Sequence, residues 1–171
     1  MNIDLLDATT VRAALPGLCD VLTDCVQGGA SVGFMAPYTL EDAAAYWETV
    51  LPAVEDGGSL LFVAWEAERV LGTVQLGIRQ FPNQPHRADL KKLLVHRSAR
   101  GKGVATALMA AAEAEAARRG KLLLVLDTAT GSPAEDLYRR IGWTVSGIIP
   151  DYALYPDGRF CDTTVYYKRV G

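Results

Sequence analysis

The residues best suited to chemistry lie in the stretch "HRSARGKGVATA", which begins at position 96 directly after an apolar run. Arg100 and Lys102 supply charged donors, while Gly101 and Gly103 lack the Cβ atoms that would hold an anion away from the backbone. A long alanine-rich pattern follows, so the stretch opens a helix. The first turn of a helix favours anions because it has unpaired N–H groups and the positive end of the helix dipole. We therefore expect this glycine-rich loop and the start of the helix to bind a diphosphate, the alternative being a solvated basic loop around a glycine turn.

Two other phosphate-binding motifs fit this stretch less well. A P-loop is excluded because the pattern G-x-x-x-x-G-K-[ST] is absent and Lys102 is followed by glycine instead of a hydroxyl side chain. The dinucleotide-binding fingerprint is closer, since Gly101 and Gly103 follow a predicted strand and Asp127 ends the next one. However, Thr106 stands at its third glycine position, and the rest of the chain predicts hairpins instead of further βαβ units.

The elements that position this stretch follow from hydrophobic periodicity. In chain order the sequence predicts a strand at 2–6, a helix from Thr9 or Thr10 through Val26, a helix at 39–54, strands at 60–65, 69–79 and 88–96, a helix at 103–119, a strand at 121–127, a short helix in "SPAEDLYRRIGW", and a final hairpin of "WTVSGII" and "FCDTTVYYKRV". Thr39 and Asp42 have the spacing of a capping box, and Gly120 is suited to follow the third long helix. The short helix has Ser132 as its expected cap and Pro133 at its first position.

This order of elements predicts one mixed α/β (α+β) domain over residues 1–171. Residues 88–127 form a right-handed βαβ unit with two parallel strands, whereas hairpins join the strands on either side of it. The run "KLLLVLD" is nearly continuous in apolar residues, which is typical of a strand covered on both faces. No repeat, low-complexity tract or linker interrupts the pattern.

Charge and composition exclude several classes of protein. The formal net charge is −3, and basic residues are bunched in the glycine-rich stretch, which suits a small anionic ligand better than a nucleic acid. No apolar run approaches the roughly 20 residues of a membrane helix, and the N-terminus lacks the pattern of a signal peptide. Three cysteines without a C-x-x-C pair indicate free thiols in a reducing compartment, and no ligand spacing indicates a metal. We expect a cytoplasmic protein without nucleic-acid or membrane partners.

The glycine-rich stretch also carries a family signature. In "RGKGVA", Arg100, Gly103 and Ala105 occupy the signature positions of the motif Q/R-x-x-G-x-G/A, and with the preceding "LLV" and the later "DLYRRIGW" the chain resembles the GCN5-related N-acetyltransferase (GNAT) superfamily. The stretches "LDT", "GSPAE", "PDGR" and "YYK" are further similar to tabtoxin-resistance acetyltransferases. The resemblance covers nearly the whole chain. It implies a mixed central sheet of six to seven strands with helices on both faces and splayed fourth and fifth strands.

The resemblance implies acetyl-CoA as the acyl donor, bound where the fourth and fifth strands part. Backbone groups of the fourth strand would contact the pantetheine arm along Leu93, Leu94 and Val95. Considered apart from the glycine-rich loop, these three apolar residues would be interpreted only as the core of a strand. The loop and helix start would hold the diphosphate. The residues implied there are Arg100, Gly101, Lys102, Gly103, Val104, Ala105 and Thr106.

The resemblance also implies three catalytic side chains. Tyr138 matches a tyrosine that protonates the coenzyme sulfur, and a phenol with an ordinary pKa of about 10 is protonated at neutral pH. Asp89, six residues before the end of the fourth strand, would take the proton of the amine directly or through water. The equally open alternative is a strand-end aspartate paired with Arg87 or Lys91. Asp127 would bind or deprotonate the acceptor amine, or else only cap a turn.

The function implied by the resemblance is direct transfer of acetyl from acetyl-CoA to a primary amine in a ternary complex. A backbone N–H near Leu94 or Val95 would stabilise the oxyanion. Asp89, Asp127 and Asp162 would form an acidic pocket for the ammonium group of a small amino-acid-like or antibiotic-like molecule. A protein N-terminal or lysine acetyltransferase would instead need an open groove beside "GGASVGFMAPYTLED", and a non-catalytic acyl-CoA sensor is a further alternative. We expect a monomer or a homodimer.

Overall fold

The computed structural model describes all residues from 1 to 171. Seven strands and four α-helices follow one another in the predicted order, which is confirmed. Their bounds are β1 Asn2–Leu6, α1 Thr10–Gln27, α2 Leu40–Glu55, β2 Ser59–Glu66, β3 Arg69–Gly77, β4 Arg87–Val95, α3 Val104–Arg118, β5 Leu123–Ala129, α4 Pro133–Arg140, β6 Thr144–Leu154 and β7 Phe160–Arg169. None of these helices combines the length and the apolar character needed to cross a membrane.

All seven strands belong to one sheet, in the order β1-β2-β3-β4-β5-β7-β6. Neighbouring strands are antiparallel except β4 and β5, which run parallel as the βαβ unit requires. Their pairing joins only Arg87–Asp89 to Leu123–Val125, and the two strands part beyond it. β4 then continues along β3 up to Val95, while β5 continues along β7 up to Ala129. The predicted mixed sheet with splayed fourth and fifth strands is confirmed.

Helices cover both faces of the sheet. On one face α1 and α2 pack against β1 to β4 around the fully buried side chains of Leu18, Trp47 and Leu61. On the other face α3 and α4 pack around Leu108 and Tyr166. Because burying one such side chain contributes about 1.5–3 kcal/mol, these two cores hold the sheet between its helices.

Part of the face that carries α1 and α2 stays open. Leu124 and Leu126 of β5 are buried on the α3 side, but Val125 is half-buried and Asp127 is exposed on the opposite side. The prediction that this strand is covered on both faces is wrong, because α1 and α2 reach only as far as β4. The uncovered face of β5 therefore lines a depression in the surface.

A β-bulge at Lys92 changes the face on which the residues of β4 lie. Lys92 has a φ of 53°, and the register with β3 shifts between Lys91 and Leu94. Before the bulge, Leu90 belongs to the core on the α3 side, whereas after it Leu94 belongs to the core on the α1 side. Because an inserted residue reverses the alternation of a strand, Lys91 and Lys92 both lie on the α1 side.

The three helix starts with predicted caps differ from one another. Thr39 and Asp42 form the complete capping box predicted for α2. Thr9 occupies the cap position of α1 without a side-chain capping bond, and its N–H donates instead to the carboxylate of Asp7. Ser132 occupies the predicted cap position of α4, but its side chain makes no capping hydrogen bond there.

We expect Thr39→Ala to destabilise the protein by about 1 kcal/mol, because its hydroxyl accepts a backbone N–H of the first helical turn. Ser132→Ala is the matched control and should cost no more than about 0.5 kcal/mol, since that hydroxyl makes no such bond. Urea unfolding followed by tryptophan fluorescence measures both free energies of unfolding. Equal losses in the two variants would contradict the cap assignment.

Candidate active site

The predicted anion-binding stretch forms a turn that leads into α3. A 3₁₀ turn at Arg97–Ala99 follows β4, and Gly101 and Gly103 have φ angles of 75° and 79°. A Cβ at either position would meet no atom within 4 Å, so the left-handed backbone and not crowding requires glycine there. Gly103 is the cap residue of α3 and has no side chain to satisfy the free N–H groups of the first turn.

Two positive charges remain uncommitted beside these N–H groups. Arg97 is held by Asp24, whose carboxylate accepts its backbone N–H and its Nε at 2.8 Å each. Arg100 and Lys102 are exposed and form no ion pair, although Nε of Arg100 donates to the carbonyl of Val95 at 3.3 Å. Free helix N–H groups and unpaired cations are the groups that bind a phosphate.

The first turn of α3 presents its backbone more than its side chains. Val104 is buried, Ala105 is half-buried and Thr106 is exposed. Of these three predicted contact residues, only Thr106 has a polar side chain that solvent reaches. The others can contribute N–H groups to a ligand at the helix start.

The edge of β4 that faces β5 is unpaired beyond Asp89. Leu93 and Val95 are half-buried toward the α3 side, whereas Leu94 is buried in the core under α1 and can offer only backbone groups. The N–H of His96 donates to a carbonyl of β3, and backbone groups of successive residues point to opposite edges of a strand. The N–H of Val95 therefore points into the gap between β4 and β5.

A cavity of about 310 Å³ lies over the parted strands on the face that α1 and α2 leave open. Its lining includes Asp89, Lys91, Val125, Asp127, Tyr152 and Thr163. Leu90 and Leu126, which belong to the core on the α3 side, also line it, so the cavity reaches into the gap between the strands. The carboxylate of Asp162 lies elsewhere and accepts a backbone N–H of β6. The acidic pocket therefore contains Asp89 and Asp127, and the prediction of Asp162 there is wrong.

The two carboxylates of the cavity differ in their partners. Oδ2 of Asp89 accepts hydrogen bonds from Arg87 at 3.2 Å and from Gln80 at 3.0 Å. The pairing of Asp89 with Arg87 was one of the two alternatives for this residue. Asp127 is exposed and accepts one hydrogen bond, from the hydroxyl of Thr163 at 3.1 Å. Asp127 is therefore the carboxylate more available to an ammonium group.

Tyr138 lies on the α3 side of the sheet and is only 5% exposed. Its ring packs on Tyr166 and Trp143, with centroids 5.5 and 6.1 Å apart. Burial, and then the negative charge of Asp127, raise the pKa of Tyr138 above its ordinary value. The phenol therefore stays protonated at neutral pH and can donate a hydrogen bond.

Three residues at the site were missed from the sequence. Gln80 lies in the loop after β3, and no local pattern marks it as a partner of Asp89. Thr163 pairs with Ala129 across β7 and β5, a register that the sequence does not specify. Lys92 is the second of two consecutive lysines in a strand, and this break in alternation is the visible signal of the bulge.

The loop between α1 and α2, residues 28–39, joins the β6–β7 hairpin across the parted strands. The hydroxyl of Ser31 donates to the carbonyl of Leu154 at 2.9 Å, and the N–H of Ala36 donates to the carbonyl of Pro156 at 3.0 Å. The α1–α2 loop packs on β4, and the hairpin extends from the strand that pairs with β5. The two segments together close one end of the open face.

Comparison with known proteins agrees with this geometry. The sequence profile of the Acetyltransferase (GNAT) family matches residues 27–143. The chain belongs to this family. One GNAT relative, from Azospirillum brasilense, is named as an uncharacterized N-acetyltransferase in the hisH-hisA intergenic region. It is 36% identical over 129 residues, which cover 74% of each chain.

Two solved acetyltransferase structures share the fold. A ribosomal-protein-alanine N-acetyltransferase from Brucella melitensis superposes with a TM-score of 0.80 at 24% identity, over 99% of this chain and 100% of that one. A phosphinothricin acetyltransferase from Sinorhizobium meliloti, in complex with acetyl-CoA, superposes with a TM-score of 0.76 at 19% identity, over 99% of this chain and 88% of that one. The family match and the Azospirillum brasilense relative make the chain a GNAT acetyltransferase, while the closer likeness to tabtoxin-resistance enzymes stays a prediction.

We expect Asp127→Asn to lower the pKa of Tyr138, because a nearby negative charge opposes formation of the phenolate. The pKa should still lie above the ordinary value, since burial is the larger cause and persists. NMR titration of ¹³Cζ-labelled tyrosine, assigned with Tyr138→Phe, measures the shift. Asp162→Asn is the matched control and should leave the Tyr138 titration unchanged. The same Tyr138 pKa in Asp127→Asn and wild type would place the carboxylate too far away to act on the phenol.

Proposed function

We propose that the chain is an N-acetyltransferase that transfers acetyl from acetyl-CoA directly to the primary amine of a small molecule. The observation that carries this proposal is the cavity that opens on one face of the sheet and reaches into the gap between β4 and β5. Asp89 and Asp127 line it on the open face. Two substrates approaching from opposite faces can therefore meet in the gap, without an acyl group held by the protein.

The groups around the gap fit a coenzyme with a diphosphate and an amide-containing arm. The free N–H groups at the start of α3, together with Arg100 and Lys102, would bind the diphosphate. The unpaired edge of β4 at Leu93–Val95 would hydrogen-bond to the amides of the arm. The chemistry that the coenzyme supplies is a thioester, whose acyl carbon accepts a nucleophile.

The residues of the cavity would carry the proton transfers. Asp127 would orient the ammonium group and accept the proton that it loses before attack, and Asp89 would accept, through water, the second proton that the nitrogen loses once the N–C bond has formed. The N–H of Val95 stabilises the oxyanion as the new N–C bond forms. As the C–S bond breaks, Tyr138 would donate its hydrogen to the sulfur, and solvent would then reprotonate Tyr138 and take up the protons held by Asp127 and Asp89.

The contacts at the open face favour a small acceptor over a protein segment. The hydrogen bonds of Ser31 and Ala36 to the β6–β7 hairpin close one end of the face, whereas an extended peptide would need an open groove there. The names of the two solved relatives include one protein substrate and one small molecule, so the shared fold does not decide whether the acceptor is a protein or a small molecule. The carboxylate of Asp127, which has no ion-pair partner, favours an ammonium-bearing acceptor, and this suits an amino-acid-like or antibiotic-like amine.

A thiol-release screen of wild-type protein with acetyl-CoA tests the function. The panel contains small amino-acid-like and antibiotic-like amines, each amino acid also being offered as the first residue of a peptide. We expect the small amines to release free thiol and to react faster than the peptides. Faster reaction of the peptides would indicate a protein acetyltransferase, and acetyl-CoA binding without thiol release from any amine would indicate a sensor.

We expect Tyr138→Phe to reduce kcat by roughly 10²–10⁴-fold, the usual contribution of a positioned acid, with little change in the KM for acetyl-CoA. Tyr166→Phe is the matched control, because it removes another buried tyrosine hydroxyl, one that donates to Glu135 at 3.0 Å. That variant should lose stability but keep kcat within about threefold, since the Tyr166 hydroxyl is committed to Glu135. An unchanged kcat in Tyr138→Phe would exclude its role as an acid.

A further inference from the structure

Lys92 has a backbone conformation that its position in β4 does not favour. Its φ of 53° is left-handed, a region that residues with long side chains rarely adopt, and it lies inside a strand instead of a turn. Residues persist in such conformations where surrounding contacts fix them, and they cluster at functional sites. The contacts of the Lys92 side chain therefore indicate what the bulge supports.

The ammonium group of Lys92 lies in a site formed by the α1–α2 loop and α2. Its Nζ donates to the carbonyl of Val32 at 2.6 Å and lies 5.2 and 5.6 Å from the ring centroids of Phe34 and Tyr46. A Cβ at Gly33, where φ is 95°, would lie 3.3 Å from this nitrogen, so the glycine lets the loop approach closely. The carbonyl and the two aromatic faces offset the desolvation of the charge. This arrangement holds the loop by a cation in a largely apolar site.

Lys92 is the one residue of β4 that hydrogen-bonds to the α1–α2 loop. On its other side the loop is attached to the β6–β7 hairpin through Ser31 and Ala36. The loop has no helical or strand structure between α1 and α2 that would fix its shape independently. Its side chains also pack on the core under α1 and α2, so these two attachments fix where the rest of the loop lies over the parted strands.

We propose that Lys92 is a positioning residue that holds the α1–α2 loop beside the cavity and so shapes the binding site of the acceptor amine. The inference rests on the proposed function, because it assigns the open face to the amine. The geometric basis of the inference is the face of the sheet on which Lys92 lies. The bulge places Lys92 on the same face as Lys91 and Asp127, which line the cavity. Burial lowers the pKa of Lys92 and the charge of Asp127 opposes this effect, which agrees with a position near that carboxylate.

The variant Lys92→Met separates this role from coenzyme binding. Methionine keeps a long apolar side chain but loses the charge and the donor to Val32. We expect the KM for the fastest amine of the screen to rise about tenfold, the scale of one lost charged hydrogen bond. The KM for acetyl-CoA should stay within about twofold, because the diphosphate site at residues 100–106 is built from other groups. Lys92→Arg, which keeps a cation that stacks on aromatic rings, should restore part of the affinity for the amine.

Hydrogen exchange of residues 28–39 provides a readout that does not need turnover. Exchange in this loop should be faster in Lys92→Met than in wild type at the same pH, with residues 100–106 unchanged. Lys168→Met is the matched control, since it removes another half-buried lysine that donates to a carbonyl, that of Ile141 at 2.7 Å on the α3 side. It should lower stability without altering exchange in the loop or the KM for the amine.

Two results would overturn the role of Lys92. One is that residues 28–39 exchange hydrogen in Lys92→Met at the same rate as in the wild type. The other is that Lys92→Met raises the KM for acetyl-CoA as much as the KM for the amine. Absence of thiol release from every amine in the wild-type protein would contradict the proposed function instead. In that case the exchange rates alone decide whether Lys92 holds the loop.

Discussion

The separation of two parallel strands is the constraint on which the site depends. β4 and β5 pair over three residues each and then follow different neighbours, β4 along β3 and β5 along β7. The bulge at Lys92 bends β4 and shifts its register with β3 between Lys91 and Leu94, as an inserted residue does in an antiparallel pair. An edge of backbone N–H and C=O groups is thereby left without a strand partner inside the sheet. Such groups need hydrogen bonds, and a ligand with amide groups can supply them.

Ionisable groups without an ion-pair partner lie in two places around this gap. The glycine turn before α3 carries Arg100 and Lys102 without carboxylate partners, whereas the open face of the sheet carries Asp127. Arg100 and Lys102 would attract an anionic donor, and the unpaired carboxylate of Asp127 would bind the ammonium group of an acceptor on the other side of the opening. The phenol of Tyr138 lies on the α3 side, near enough to Asp127 for that charge to raise its pKa. The position of each group thus agrees with a reaction that takes place between the strands.

Local signals in the sequence predicted the elements well, because helices and hairpins depend on nearby residues. The capping box at Thr39 and the glycine turn at residues 100–103 were both visible before the fold was known. Predictions that depend on long-range packing were less successful. The apolar run of β5 suggested two covered faces, but the reach of α2 across the sheet is not encoded in that run. Similarly, Asp162 and its neighbour Thr163 lie on opposite faces of β7, and only the pairing with β5 shows that Thr163 lines the cavity.

The most direct test of the central claim is a crystal structure of the protein with coenzyme A. We expect the diphosphate oxygens to lie within about 3.2 Å of backbone N–H groups in residues 101–106, with Arg100 or Lys102 beside them. We also expect the arm of the coenzyme along the unpaired edge of β4, with its sulfur near Tyr138. A diphosphate bound elsewhere, with the glycine turn free of ligand, would contradict the claim that the parted strands and the start of α3 form the donor site.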